Sequence, residues 1–225
     1  MAKRPVNVGE NEGPRPSMAI LKQRFYHKAI NLEEITSFTC IEVEGLLRIF
    51  DKLVSKYKSP MTKVIFKDVL FNFFGFTNDS IMEKIFRAIT NGGSIMSYDE
   101  WVKGMDVFLR GNILQRANFA FTVYDYQKRD FLSKEDIQGY LKDILVVRLP
   151  EEDAEECYTD MLDLVFVLLD RDKDGYVSRK DFLKCVLSEP LLLQVLGDCL
   201  PPSSAASTLE TLIRQSVPKT AESPI

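Results

Sequence analysis

An all-α fold is predicted: four helix–loop–helix units in two paired lobes, with short β-ribbons joining the loops of each pair. Two observations predict it. Apolar residues recur at helical spacing on both sides of a loop of eleven or twelve residues, and this arrangement occurs four times, with loops beginning at residues 54, 90, 125 and 170. One such unit cannot bury its own apolar face, so the units must pack in pairs.

The first unit has Leu46, Ile49, Phe50 and Leu53 ahead of a loop from Val54 to Ile65, then Phe66, Val69, Leu70 and Phe73. In the second, Met82, Ile85, Phe86 and Ile89 lead into Thr90 to Glu100, followed by Trp101, Met105 and Phe108. In the third, Ala117, Ala120, Phe121 and Tyr124 precede Asp125 to Asp136, and Ile137, Tyr140, Leu141 and Ile144 follow. In the fourth, Leu162, Val165, Phe166 and Leu169 precede Asp170 to Asp181, and Phe182, Cys185 and Val186 follow. Each set makes one apolar helix face. The aromatic run Phe71, Phe73, Phe74 and Phe76 is assigned to the core. The expected division is a disordered tail (1–17), an N-terminal lobe (18–110), a C-terminal lobe (111–200) and a C-terminal tail (201–225). A short helix is expected from Pro190 through Leu196, with Leu191, Leu192, Val195 and Leu196 on its apolar face. In the tail, Leu209, Leu212 and Ile213 are placed on a small helix that docks on a partner, and the rest reads as disordered.

Composition narrows the function. The net charge is −4 and the basic residues are dispersed, which argues against nucleic acid as a partner. No apolar run suits a signal peptide or a membrane span, and Ala2 stands where N-myristoylation would need glycine, so a soluble cytoplasmic protein is expected. Cys40, Cys157, Cys185 and Cys199 form no C-x-x-C pair and read as reduced, packed thiols. His27 is the single histidine, and neither a phosphate loop nor a nucleophile with a partner base is present, so the chain is not expected to be an enzyme.

One loop prescribes a chemistry. DRDKDGYVSRKD, from Asp170 to Asp181, puts oxygen-bearing side chains at positions 1, 3, 5, 9 and 12 and Gly175 at position 6. This is the ligand spacing of an EF-hand. Asp170, Asp172 and Asp174 are read as carboxylate ligands, Tyr176 as a carbonyl ligand, Ser178 as a ligand through water and Asp181 as the closing carboxylate. Aspartate replaces the usual glutamate at position 12 and is one methylene shorter. One calcium site is therefore expected, with magnesium competing and an affinity of about 10⁻⁵ M or weaker.

The companion loops have diverged. VSKYKSPMTKVI has no carboxylate. TNGGSIMSYDE is one residue short and keeps only acids near its end, with Glu100 last. DYQKRDFLSKED keeps Asp125 and Asp136 but has Arg129 at position 5 and Asp130 at position 6, and reads as inactive. Its segment Phe131–Ser133 is expected to form a ribbon with Tyr176–Ser178, bracing the fourth loop.

Four such units, a dead first loop and the acidic insert Leu149-Pro150-Glu151-Glu152-Asp153-Ala154-Glu155-Glu156 resemble the neuronal-calcium-sensor branch of the EF-hand superfamily. Within it, Phe86-Arg87, Glu100-Trp101, Phe108-Leu109-Arg110-Gly111, Leu191-Leu192-Leu193 and Gly197-Asp198-Cys199-Leu200-Pro201 resemble the calaxin family, from about Phe38 to Pro201. The resemblance implies a component of the ciliary or flagellar axoneme, set at the outer dynein arm or its docking complex through an apolar groove and modulating motility with calcium. It also implies that the segment after Pro190 folds back over the C-terminal lobe. The chain departs from the family in keeping one intact loop. Two other readings stand beside the axonemal regulator: a largely calcium-independent architectural adaptor, and a sensor-like regulatory subunit of another target.

Overall fold

The computed structural model describes residues 18–145 and 151–216. The expected N-terminal tail, residues 149 and 150 of the acidic insert, and the chain beyond 216 lie outside the described residues. Ten α-helices are described: α1 (Met18–Glu33), α2 (Cys40–Tyr57), α3 (Lys63–Phe74), α4 (Asp79–Ile89), α5 (Tyr98–Arg110), α6 (Ile113–Tyr124), α7 (Lys134–Leu145), α8 (Glu151–Leu169), α9 (Arg179–Ser188) and α10 (Ser203–Ser216). A 3₁₀ turn covers Pro190–Gln194, and two short strands, β1 (Phe131–Leu132) and β2 (Val177–Ser178), complete the described elements. The all-α fold of paired EF-hand units follows from this order.

The loops pair through their eighth positions. Leu132 lies opposite Val177 in an antiparallel ribbon, as expected. In the other lobe the Met96 amide donates to the Met61 carbonyl at 2.8 Å, and Thr62 bridges Ile95. All four position-eight side chains, Met61, Met96, Leu132 and Val177, are buried. Each exiting helix begins at the same loop position, at Lys63, Tyr98, Lys134 and Arg179. The first loop differs at its entry. Helix α2 continues to Tyr57, into the loop expected from Val54, and ends on Lys58 in the left-handed region at φ 49°. With no carboxylate to turn around an ion, nothing there draws the chain out of the helix.

The periodic residues form the cores. Trp101 stands edge-on to Phe50 and Phe66, and its indole N–H donates to the Leu46 carbonyl at 3.1 Å. A buried donor is thereby satisfied. In the second lobe Phe121, Tyr124, Tyr140 and Phe182 play the same part. The aromatic run divides: Phe74 and Phe76 are buried and Phe73 packs against the core, but Phe71 is 58% exposed. Helix α3 presents one face to the core, and Phe71 is on the other.

Two helices extend the N-terminal lobe. Helix α1 lays Phe25, Ala29 and Leu32, all buried, against α2. Helix α10 corrects the reading of Leu209, Leu212 and Ile213 as a small helix that docks on a partner: it lies on α2, α3 and α5 of its own chain. Leu209 and Ile213 are buried there, while Leu212 is 36% exposed. Burial of two such side chains contributes about 3–6 kcal/mol. Gly45 makes the approach possible, since a Cβ on it would stand 2.6 Å from the Ile213 carbonyl oxygen. A helix-interior glycine costs about 1 kcal/mol relative to alanine, and here the close crossing requires it.

The segment joining the lobes' ends is also anchored. Leu196 is buried and Leu191 is 86% exposed, so Leu191 is not on the apolar face assigned to it. A 3₁₀ turn advances side chains by a third of a turn per residue, which moves Leu191 away from the face a longer α-helix would share. The Tyr124 hydroxyl donates to the Gly197 carbonyl at 2.7 Å, and the Cys199 thiol donates to the Tyr124 oxygen at 3.4 Å. Burial pushes the Cys199 thiol up to about 12, so it stays protonated.

Arg110 fastens α10 to α2. Its guanidinium donates to both Glu42 carboxylate oxygens at 2.9 and 2.6 Å, to Glu210 at 3.1 Å and to the Ser37 carbonyl at 2.8 Å. The Arg110 hydrogen bond holds Glu42 far below the usual carboxylate range, at about 2. A folded value below the unfolded one near 4.5 means that this stability is present above pH 4.5 and is lost as pH falls toward 2. Arg110→Gln should therefore flatten the acid side of the melting temperature profile in that window, measured by thermal melts across pH. Gly45→Val should dislodge α10, raising apolar-dye fluorescence and lowering the melting temperature; an unchanged dye signal would contradict the docking described.

Candidate metal centre

The fourth loop is positioned by α8, which ends at Leu169, and by α9, which begins at Arg179. Phe166, in the last turn of α8, accepts the Asp170 amide at 2.8 Å, so the chain leaves the helix at the first ligand position. Two residues then take positive φ, Lys173 at 61° and Gly175 at 87°. Glycine adopts this geometry without a Cβ penalty, and it stands at the sharper turn. The Asp170 carboxylate accepts the Lys173 amide at 2.8 Å and the Gly175 amide at 3.0 Å, folding the loop around that side chain. Asp174 accepts the Tyr176 amide at 2.8 Å.

The result is a convergence of charge. One oxygen from each of Asp170, Asp172 and Asp174 lies within 4.8 Å of the others, the one such group of three metal-ligating side chains among the described residues. Three carboxylates this close repel one another by about 1 kcal/mol per pair even in water, and more where water is excluded. Oxygen donors without nitrogen or sulfur suit a hard cation, calcium or magnesium, rather than zinc. The donor set therefore fits the ion that an EF-hand implies.

The remaining candidates are arranged differently. Ser178 caps α9, its hydroxyl oxygen accepting the Asp181 amide at 3.2 Å, and the same hydroxyl donates to the Asp181 carboxylate. Asp181 is buried and is outside the group of three. The shorter side chain at position 12 thus engages the helix cap next to it. Tyr176 stands at position 7, and its exposed ring is edge-on to Phe131 of the third loop at 4.9 Å. Val177 is buried and ties the loop to the core.

The other loops close on themselves. In the second, the buried Thr90 hydroxyl lies within hydrogen-bond distance of the Phe86 carbonyl at 2.9 Å and the Gly93 carbonyl at 3.1 Å, tying the loop to the end of α4. Glu100 accepts the Ser97 amide at 2.7 Å and serves as a helix cap for α5. In the third, Arg129 pairs with Asp136 and Asp130 pairs with Arg179 of the fourth loop. Neither pairing was anticipated from the sequence, where Arg129 and Asp130 mark the loop only as inactive. The signal was available in the opposite charges at positions 5 and 12 of one loop. No helix among the described residues is long and apolar enough to cross a membrane.

Known proteins are similar to this chain in sequence. Residues 114–187, which hold the third and fourth loops, match the EF-hand domain pair. Calaxin of Xenopus laevis is 35% identical over 182 residues, covering 78% of this chain and 88% of the relative. Calaxin of Homo sapiens is 31% identical over 183 residues, covering 78% and 86%. Guanylyl cyclase-activating protein 1 of Lithobates pipiens is 28% identical over 131 residues, covering 55% of this chain and 62% of the relative. With paired loops, a carboxylate cluster in the fourth and this extent of identity, the chain belongs to the calaxin family of EF-hand calcium-binding regulatory proteins.

Proposed function

We propose that this protein is an axonemal adaptor of cilia or flagella that binds the outer dynein arm or its docking complex and holds one calcium ion, in the fourth loop, to modulate motility. Asp170, Asp172 and Asp174 would hold the ion, together with the Tyr176 carbonyl, Ser178 through a water and Asp181 once its side chain leaves the Ser178 hydroxyl. The bound ion supplies charge that neutralises the carboxylate cluster. Magnesium competes, because a short position-12 carboxylate favours a six-coordinate site over a larger one. The observation that carries the reading is the convergence of three carboxylates on a loop with the EF-hand turn, in a chain of the calaxin family.

A second reading has its own support. Three of the four loops are closed by their own side chains or lack ligands, which favours an architectural adaptor that clamps its partner whether or not calcium is present. Both readings place partner binding on apolar surfaces of the helical lobes, without nucleic acid, membrane or catalysis. A groove between the lobes, lined by Phe74, Phe76, Leu141, Ile144, Met161 and Val195, has the chemistry for a partner helix.

Calorimetric titration of the full chain should show one site at about 10⁻⁵ M or weaker, abolished by Asp170→Ala. Asp181→Glu should tighten binding by roughly tenfold, about 1.4 kcal/mol. Submicromolar binding in millimolar magnesium would overturn the weak-site reading. In ciliary extracts, immobilised protein should recover outer-arm dynein or docking-complex subunits in amounts that change between calcium and chelator. Equal recovery in both supports the architectural reading, and failure to recover axonemal proteins in either removes the axonemal assignment.

A further inference from the structure

We propose that the third loop carries its own cation: the Arg129 guanidinium stands in for a metal ion and holds the loop in its ion-wrapping conformation at any calcium level. This goes beyond the reading of the fourth loop and does not require that loop to bind calcium.

The backbone is the first observation. A loop that wraps an ion here has positive φ at positions 4 and 6, as Lys173 and Gly175 show. The third loop repeats both, with Lys128 at 57° and Asp130 at 63°. Neither is glycine, and non-glycine residues in this region cost about 1 kcal/mol or more each. A loop that had merely lost its ligands would have no reason to keep so costly a path. The first loop, which also lost them, does not keep it, since α2 runs on to Tyr57 instead.

The second observation is what replaces the ion. Asp125, at position 1, is buried and accepts the Arg129 amide at 2.9 Å and the Asp130 amide at 2.7 Å. This parallels the way Asp170 folds the fourth loop. From position 5 the Arg129 side chain reaches Asp136 at position 12 and donates to its carboxylate. Positions 5 and 12 are both ligand positions, which a bound ion would draw together from the middle and the end of the loop. The same Asp136 oxygen accepts the Ser133 amide at 2.8 Å, fixing the start of α7. A cationic side chain thus closes the loop by a charge-assisted hydrogen bond from one guanidinium nitrogen to one Asp136 oxygen.

The third observation is that the locked loop is bolted to its neighbours. Asp130 accepts the Arg179 side chain at 2.5 Å and the Arg179 amide at 3.2 Å, so the strained turn grips the first residue of α9. Lys128 donates to the Asn91 carbonyl at 3.1 Å and to its side-chain oxygen at 2.6 Å, reaching the second loop in the other lobe. The third loop therefore sets the position of the fourth loop's exit and of the lobe-to-lobe contact before any ion arrives.

Hydrogen exchange on the full chain in chelator tests this without involving calcium. Residues 125–136 should be equally protected in chelator and in calcium in the wild type. Arg129→Gln should speed their exchange in chelator by about tenfold or more, and Arg129→Lys should recover part of the protection. A second variant turns the loop back into a site: Arg129→Asp with Asp130→Gly supplies an oxygen at position 5 and glycine at position 6. That double variant should bind one more calcium than the wild type and regain protection of 125–136 only when calcium is added. If Arg129→Gln leaves exchange unchanged, the guanidinium is an ordinary surface ion pair and the proposal fails. If Arg129→Gln unfolds the lobe outright, the double variant decides: protection regained with calcium upholds the proposal, and protection that calcium does not restore overturns it. Loss of wild-type calcium binding would count against the fourth-loop site alone, because the exchange readout is taken in chelator.

Discussion

The pairing of loops through their eighth residues is the constraint on which the rest of this structure depends. A lone helix–loop–helix unit has an apolar face and nothing to cover it. Joining Leu132 to Val177, and Met61 to Met96, brings two such faces together and buries all four side chains. A unit that has lost its ligands cannot then be discarded, because its partner's helices pack on it. This explains why four units persist when one retains a full ligand pattern. It also explains why the bridging positions Met61, Met96, Leu132 and Val177 are apolar in loops with and without ligands.

Each decayed loop has had to solve the same problem, that of ending one helix and starting another without an ion at the centre. The solutions differ in kind. The first loop lengthens its entering helix to Tyr57. The second uses the Thr90 hydroxyl as an internal strut and turns Glu100 into a cap. The third pairs positions 5 and 12. All three satisfy backbone groups that would otherwise be left without partners, which is the larger cost in a buried turn. The fourth loop differs in its side chains, bringing one carboxylate oxygen from each of Asp170, Asp172 and Asp174 within 4.8 Å of the others.

Much of this was legible in the residues and the rest was hidden for identifiable reasons. The four helical periods, the ribbon register and the clustering of Asp170, Asp172 and Asp174 follow from spacing alone, because helix faces and loop positions are local properties. Helix α1 could have been found from Phe25, Ala29 and Leu32, whose spacing is helical, but it has no loop beside it to draw notice. The apolar pattern of Leu209 and Ile213 was visible, whereas their seat was not. That seat depends on Gly45, more than 150 residues earlier in the chain, and a glycine inside a helix pattern does not announce what crosses it. Asp181 shows the opposite limit. Its place in the ligand series was plain, yet its bond to Ser178 is a choice between two nearby partners that spacing does not resolve.

Magnitudes decide how far calcium could act in such a molecule. A ligand shifts an equilibrium only by its differential binding free energy. For a site of about 10⁻⁵ M, calcium at the dissociation constant contributes roughly 0.4 kcal/mol, and ten times that concentration contributes about 1.4 kcal/mol. The docking of α10 rests on two buried side chains worth about 3–6 kcal/mol, in addition to the Arg110 links to Glu42 and Glu210. A calcium site of that proposed strength would be too weak to release α10, and the N-terminal lobe would keep one form across that range. The elements within its reach are those held by less: the Asp181–Ser178 cap and the angle between α8 and α9. Under the proposed function, a partner gripping the N-terminal lobe would stay bound while only its contact with α8 and α9 is retuned. Such a division suits a component that must remain in place and respond from there.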